Sequence, residues 1–214
     1  MTSPETIRIT ASILSRVRDD EGRYALIENK GTRLREDRDV LTPIGGSAEV
    51  LDGVGRASLM ELLGIEDTNF EKGLDLRIRN VSRAAIPAFL RWFGTGLDRE
   101  TNPLRELREE LVDETKIVPA AYLLDTEHQL VGYDCHYGIS HRRGSSDHVL
   151  RVAEVHDVLL PQLAMIGLLH GGTFVTAEEI RNRQTNTGVE IGAIADALIA
   201  PRLSALAIEA SNFD

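Results

Sequence analysis

The chain has 214 residues, with 34 Asp and Glu against 24 Lys and Arg and a formal charge of -10. That balance repels polyanions and excludes duplex nucleic acid as a partner, but not a small anionic ligand, because a bound divalent cation inverts local charge. A 42% hydrophobic content supports a packed core, the lone Cys135 excludes an internal disulfide and suits a reducing cytoplasm, and no stretch reads as a membrane span or leader.

The elements follow in chain order. Residues 7–17 (IRITASILSRV) alternate partly and are rich in β-branched side chains, which predicts a strand. Turn chemistry at 19–22 (DDEG) and a second apolar run at 23–29 predict a returning strand. The polar run 30–39 reads as a loop, and 40–50 (VLTPIGGSAEV) as a short strand broken at Gly45-Gly46. Residues 55–65 have helical spacing, 74–81 read as a strand, and 86–96 as a helix with Pro87 near its start. Two strands are expected at 129–140 and 148–160, joined by the basic, glycine-bearing loop 141–147. A short helix at 160–170 and a capping box at Thr176 and Glu179 follow, then a helical stretch over 191–210 with a break at Pro201. This order predicts an α+β domain built as an α/β/α sandwich around a mixed sheet, with the whole of 1–214 in one domain.

Residues 102–114 (NPLRELREELVDE) carry five acidic side chains. Placed on a helix at about 100° per residue, Glu106, Glu109, Glu110 and Asp113 share one arc, while Leu104, Leu107, Leu111 and Val112 lie opposite. Carboxylates at i, i+3 and i+4 repel by a few tenths of a kcal/mol per pair. A hard divalent cation such as Mg²⁺ or Mn²⁺ removes that penalty and takes such oxygens together with waters and substrate phosphates. The plain alternative is a solvated acidic face. Arg105 beside the carboxylates and the Gly-Gly strand end upstream weigh against it.

Together these pieces resemble the Nudix hydrolases, whose box reads G-x5-E-x7-R-E-U-x-E-E-x-G-U with U a bulky apolar residue. RELREE at 105–110 matches R-E-U-x-E-E at every fixed position, PIGGSAE at 43–49 resembles the strand end that opens the box, and ET at 100–101 resembles the start of its helix. The departures are large. Gly46 and Arg105 are 59 positions apart, which inserts about 45 extra residues inside the motif, within 51–97. Glu100 lies five positions before Arg105 instead of eight, and Val112 stands where the box has its second glycine, so the helix is expected to run on. Such a split box, and the phrase spanning 85–114, resemble bacterial Nudix-like domains found beside oligonucleotide-cyclase (SMODS) genes in anti-phage loci.

The resemblance implies a Nudix-like sandwich with a helical insertion at 51–97. It implies Mg²⁺ (or Mn²⁺) held by Glu106, Glu109, Glu110 and the Gly46 backbone, with Arg105 orienting a glutamate, and hydrolysis of a nucleoside diphosphate derivative. The expected partner is a small nucleotide, and the amphipathic insertion offers a homodimer interface. Arg142 and Arg143 are candidates for phosphate contact, against a solvated basic loop. Glu49 is either an outer ligand or a strand-end charge, and Asp147, Glu154 and Glu178 are the candidate bases. His136, His141 and His148 lack a zinc spacing. Trp92, Tyr133 and Tyr137 are core residues or base-stacking ones. The competing function is a non-catalytic nucleotide sensor, which the missing glycine and shortened helix start favour and the intact glutamate set does not.

Overall fold

The computed structural model describes residues 6–29, 38–142 and 145–213, with no side-chain account for 140–146, 208 and 211–213. The central strand is β1 (Thr6–Arg16), in which buried Ile7, Ile9, Ala11 and Ile13 alternate with half-buried polar residues and burial becomes continuous over Ile13–Ser15. Ile9, Ala11 and Ile13 enter one core, and Leu14 enters another on the opposite face. The remaining strands are β2 (Tyr24–Glu28), β3 (Val40–Ser47), β4 (Arg77–Ser82), β5 (Glu127–Arg142), β6 (Ser145–Leu159), β7 (Thr173–Val175) and β8 (Glu190–Ile191). They form one mixed sheet in the order β5-β6-β1-β3-β2-β7, with β4 also on β1 and β8 on β3. The β1–β6 and β3–β8 pairs are parallel; the other ladders are antiparallel.

Two expectations about strands need correction. The turn at Asp19–Gly22 does reverse the chain, with the Gly22 N–H donating to the Asp19 carbonyl at 3.0 Å. Yet β2 does not run beside β1 as a hairpin arm: an Arg18–Tyr24 bridge and the bond from the Ala25 N–H to the Val17 carbonyl join its start to the residues just past β1 before β2 diverges to pair with β3 and β7. The slot against β1 belongs to β3, and the reason is the glycine pair, which does not break the strand. Gly45 and Gly46 pair with Leu14 and Ile13, and Gly45 has φ 146°, a region that favours glycine. A Cβ there would stand 2.2 Å from the Ile13 carbonyl oxygen.

Segment 51–97 contributes helix α1 (Gly53–Leu63), strand β4 and helix α2 (Ile86–Thr95). Asp52 caps α1 by accepting from the Val54 and Gly55 amides, and Gly64 ends it in a left-handed conformation. Pro87 occupies the first turn of α2, whose Ile86, Phe89, Leu90 and Phe93 are buried in the first core with Leu59 and Leu63 of α1. Its strand β4 pairs with the N-terminal half of β1, and the Arg8 Nη2 donates to Glu71 Oε2 at 2.8 Å. The bond to Arg8 holds the Glu71 carboxyl below its ordinary range. A depressed carboxyl stabilises the fold above its unfolded pKa and loses that contribution as pH falls through the folded value. Glu71→Gln should therefore lower stability near neutrality by about 1 kcal/mol, with the difference closing below about pH 4. Urea titrations at several pH values read this directly.

After β6 come helices α4 (Gln162–Gly171), α5 (Ala177–Asn182), α6 (Asp196–Ile199) and α7 (Ala205–Phe213). The capping box of α5 forms as expected, with Thr176 Oγ1 accepting from the Glu179 amide and the Glu179 carboxylate accepting from the Thr176 amide. The expected helix over 191–210 is instead a strand residue at 191, a 3₁₀ turn, α6 and then α7. Helices thus cover both faces of the sheet: α5 and α6 pack on the Leu14 side, and α1, α2 and α7 on the Ile13 side. Among the described residues no helix is long and apolar enough to cross a membrane.

Candidate active site

The acidic segment begins as helix α3 (Leu104–Arg108), with Pro103 at its N-cap and the Asn102 side chain accepting from the Leu104 amide at 2.9 Å. Leu107 and Leu111 are fully buried against Ala25, Ile44 and Val158, which fixes the apolar face inward. The helix runs on through Val112, but Glu109–Glu114 winds as a π-helix. The Glu110 carbonyl accepts both the backbone amide and the hydroxyl of Thr115, at 3.0 and 2.5 Å. This i→i+5 winding puts more residues in each turn than an α-helix has, so later side chains are rotated from their α-helical positions. As a result Glu114, not Asp113, joins Glu106, Glu109 and Glu110 in the wall of the cleft.

That cleft has a volume of about 430 Å³. Its floor is the end of β3. Gly45 N–H donates to Glu110 Oε2 at 2.8 Å, and a Cβ on Gly46 would stand 1.9 Å from Glu106 Oε2. Gly46 thus keeps open the space the Glu106 carboxylate fills. Arg105 ties helix to strand: its Nη2 lies 2.7 Å from Glu100 Oε2 and 2.7 Å from Glu106 Oε1, and also donates to the Ser47 carbonyl. Its Nη1 reaches Glu109 at 3.2 Å and Glu49 at 3.9 Å. It is therefore an organising residue, not an isolated surface pair. Glu100, read from the sequence only as part of a helix start, is its principal partner. The signal was the second acid so close before RELREE.

Burial is the main force on the two inner carboxyls. It pushes Glu106 up to about 7, against the attraction of Arg105 and with repulsion from Glu109 and Glu100 adding to it. It pushes Glu110 up to about 8, against the Gly45 amide and with Glu106, Glu114 and Glu109 adding repulsion. Burial also raises Glu49.

The other candidates are scattered. Glu49 lines the cleft. Asp147 on β6 and Glu178 on α5 are exposed and outside it. Glu154 is 1% exposed and lies in a buried network: its Oε2 meets Arg99 Nη2 at 2.5 Å and its Oε1 meets His156 Nε2 at 2.7 Å. Arg99 also donates to the carbonyls of Phe93 and Glu100. Glu154 thus joins β6 to the chain just before α3 and has no access to solvent. Glu154→Ala should cost about 3 kcal/mol in a denaturant melt by stranding the buried guanidinium. Arg143 and the Arg142 side chain lie outside the described residues. Trp92, Tyr133 and Tyr137 pack in or against the first core, and Tyr137 Oη is 3.1 Å from His148 Nδ1. Lys72, Asp75 and Arg77 also line the cleft, and no sequence pattern pointed to them.

The family model described as SMODS-associated NUDIX domain matches residues 6–199. The chain belongs to this family. No curated protein and no solved structure matches it. The mixed sheet covered by helices is a Nudix-like fold, and Nudix membership supports hydrolase chemistry at the coarse level.

Nudix domains generally use divalent metals such as Mg²⁺, and the residues here fit one. The donor set is hard oxygen throughout, the crowded carboxyls are raised by burial and by one another, and Gly46 leaves room beside Glu106. Among the described residues no three His, Cys, Asp or Glu side chains stand, as placed, so that they could hold a metal ion together. Glu106 is turned to Arg105 and Glu110 to Gly45. A cation at this face would therefore have to draw at least one of these carboxylates away from its present partner and take waters or substrate phosphates as further ligands.

Proposed function

We propose that this Nudix domain hydrolyses the diphosphate linkage of a nucleoside diphosphate derivative, using Mg²⁺ or Mn²⁺ at Glu106, Glu109, Glu110 and the Gly46 backbone. The observation that carries the proposal is the crowding of these carboxylates into one cleft over a glycine floor, two of them raised well above their ordinary range. Such crowding destabilises the protein unless a cation relieves it. The metal supplies charge to polarise the diphosphate and to lower the pKa of a bound water.

The chain's own residues do the rest. Arg105 fixes Glu106 and Glu109 from one side, with Glu100 holding the guanidinium in place. The Gly45 amide fixes one oxygen of Glu110 and leaves the other for the cleft. Glu109 keeps 48% of its side chain exposed and stands at the solvent edge, where substrate arrives. An anti-phage nucleotide-signalling role in the cytoplasm belongs to the same proposal, supported by the family's association with SMODS. So does homodimerisation through 51–97, where Leu51, Val54 and Leu62 are exposed.

The test is a panel of ADP-ribose, dinucleoside polyphosphates, nucleoside triphosphates and cyclic oligonucleotides, each incubated with Mg²⁺ or Mn²⁺. Turnover of at least one compound, lost in Glu109→Gln, is the expected result. Tight nucleotide binding with no turnover of any compound would replace this reading with that of a nucleotide sensor.

A further inference from the structure

The cleft has a second wall, and its chemistry differs from that of the glutamate face. We infer that Lys72 and Arg77 form a phosphate subsite, so that the nucleotide taken here carries at least one phosphate beyond the diphosphate held at the glutamates. This rests on the function proposed above, because it assumes that the diphosphate lies at Glu106, Glu109 and Glu110.

Three cations line the cleft: Arg105, Lys72 and Arg77. Arg105 is consumed by Glu100, Glu106 and Glu109. The other two are not. Lys72 is exposed and forms no ion pair with any described residue, although Asp75 and Glu49 line the same cleft. If its only purpose were to neutralise that acidic wall, its ammonium would meet one of those carboxylates.

Arg77 is anchored through one edge only. Its Nε donates to Ser47 Oγ at 2.5 Å and stands 3.6 Å from Asp75 Oδ2, while its Nη groups donate to no described residue. Its side chain remains 43% exposed. An Nε held in this way presents the terminal fork outward, the geometry that matches two phosphate oxygens.

Ser47 sets where this fork lies. Its carbonyl accepts from Arg105 Nη2 at 3.1 Å, and its hydroxyl accepts from Arg77. One residue past Gly46 therefore joins the guanidinium of the glutamate face to the guanidinium of the opposite wall. A phosphate chain laid across the end of β3 runs from carboxylates, which need a cation between them and the phosphate, to the Lys72 ammonium and the outer edge of the Arg77 guanidinium, which do not. Nucleoside triphosphates and longer polyphosphates have that extent; a nucleoside diphosphate joined to a neutral sugar offers no anion to Lys72 or to the outward Nη groups of Arg77.

ATP and ADP, which differ by one phosphate, are the probes. Each is titrated calorimetrically at saturating Mg²⁺ into the Glu110→Gln protein, chosen because its turnover should be strongly lowered. ATP should bind about tenfold more tightly than ADP, the scale of one charge-assisted contact. Adding Lys72→Ala or Arg77→Ala should bring the ratio toward one, and Arg77→Lys should retain most of it. The Lys72 side chain bonds to no described residue, so its variant keeps the test valid if loss of the Arg77–Ser47 bond unfolds the chain. Equal binding of ATP and ADP, or a ratio unchanged in Lys72→Ala/Arg77→Ala, overturns the subsite. The two proposals fail separately. A ratio that collapses in the variants, in a parent that cleaves nothing, keeps the subsite and removes the hydrolase. A parent that cleaves ADP-ribose but shows no ATP preference does the reverse.

Discussion

Glu110→Gln should lower turnover by about 10²-fold or more, as expected when a group that organises transition-state charge is removed, and should at the same time make the metal-free protein more stable at pH 8. The folded-state pKa of Glu110 is raised to about 8, chiefly by burial. A group raised above its unfolded value contributes fully below the unfolded pKa, about 4.3 for a Glu. It loses that contribution as pH rises through the folded value. In metal-free protein Glu110 is therefore a growing liability between about pH 5 and pH 8. A glutamine is neutral throughout, and its amide oxygen can still accept from the Gly45 N–H that now bonds Glu110 Oε2. Thermal melts in EDTA should show the variant several degrees above the parent at pH 8, with the two converging near pH 4. Added Mg²⁺ should stabilise the parent more than the variant. A lower melting temperature for the variant at pH 8 would mean that the carboxylate is satisfied without a cation, and the metal reading would lose its physical basis.

Much of this site is legible in the sequence because it is local. The hexamer 105–110 sets its own spacing, and Leu107 and Leu111 force the acidic face outward, so Glu106, Glu109 and Glu110 reach one cleft whatever surrounds them. The strand at 7–17 and the helix at 86–96 are equally local readings, carried by β-branched runs and by Pro87. What fails is what depends on distant partners. The returning strand β2 has hairpin chemistry, but the place beside β1 goes to β3, whose glycines allow the closest approach. α-Helical geometry puts Asp113 on the same arc as the glutamates, and Glu114 takes that position because Thr115 satisfies the Glu110 carbonyl with two donors. Glu154 is a free acid on paper and a buried half of an ion pair in the fold, because Arg99 lies 55 residues away in sequence. Lys72 and Arg77 reach the cleft only because β4 adds to β1, a pairing that no periodicity could announce.

Replacing each of the two glycines by alanine should separate fold from function. At Gly45 the new Cβ meets backbone: the Ile13 carbonyl oxygen at 2.2 Å and the Leu14 Cα at 2.9 Å, from a residue whose φ of 146° a side chain rarely adopts. Neither strand can yield without breaking the β1–β3 ladder, so Gly45→Ala should destabilise the protein by about 3 kcal/mol or more and lower its soluble yield. At Gly46 the backbone is ordinary, and the atoms in the way are the carboxylate end of Glu106, its Oε2 at 1.9 Å. That end can swing aside, so Gly46→Ala should fold with a loss of about 1 kcal/mol. The swing moves Glu106 away from Arg105 and off the β3 end, and a misplacement of about 1 Å at a metal-assisted site costs on the order of 10²-fold in rate. The expected pair of results is one variant that melts early and another that melts near the parent but hydrolyses poorly, with Mg²⁺ affinity reduced in the second. Full activity in a well-folded Gly46→Ala protein would show that Glu106 works from elsewhere, because no carboxylate can occupy the space that a methyl group has filled.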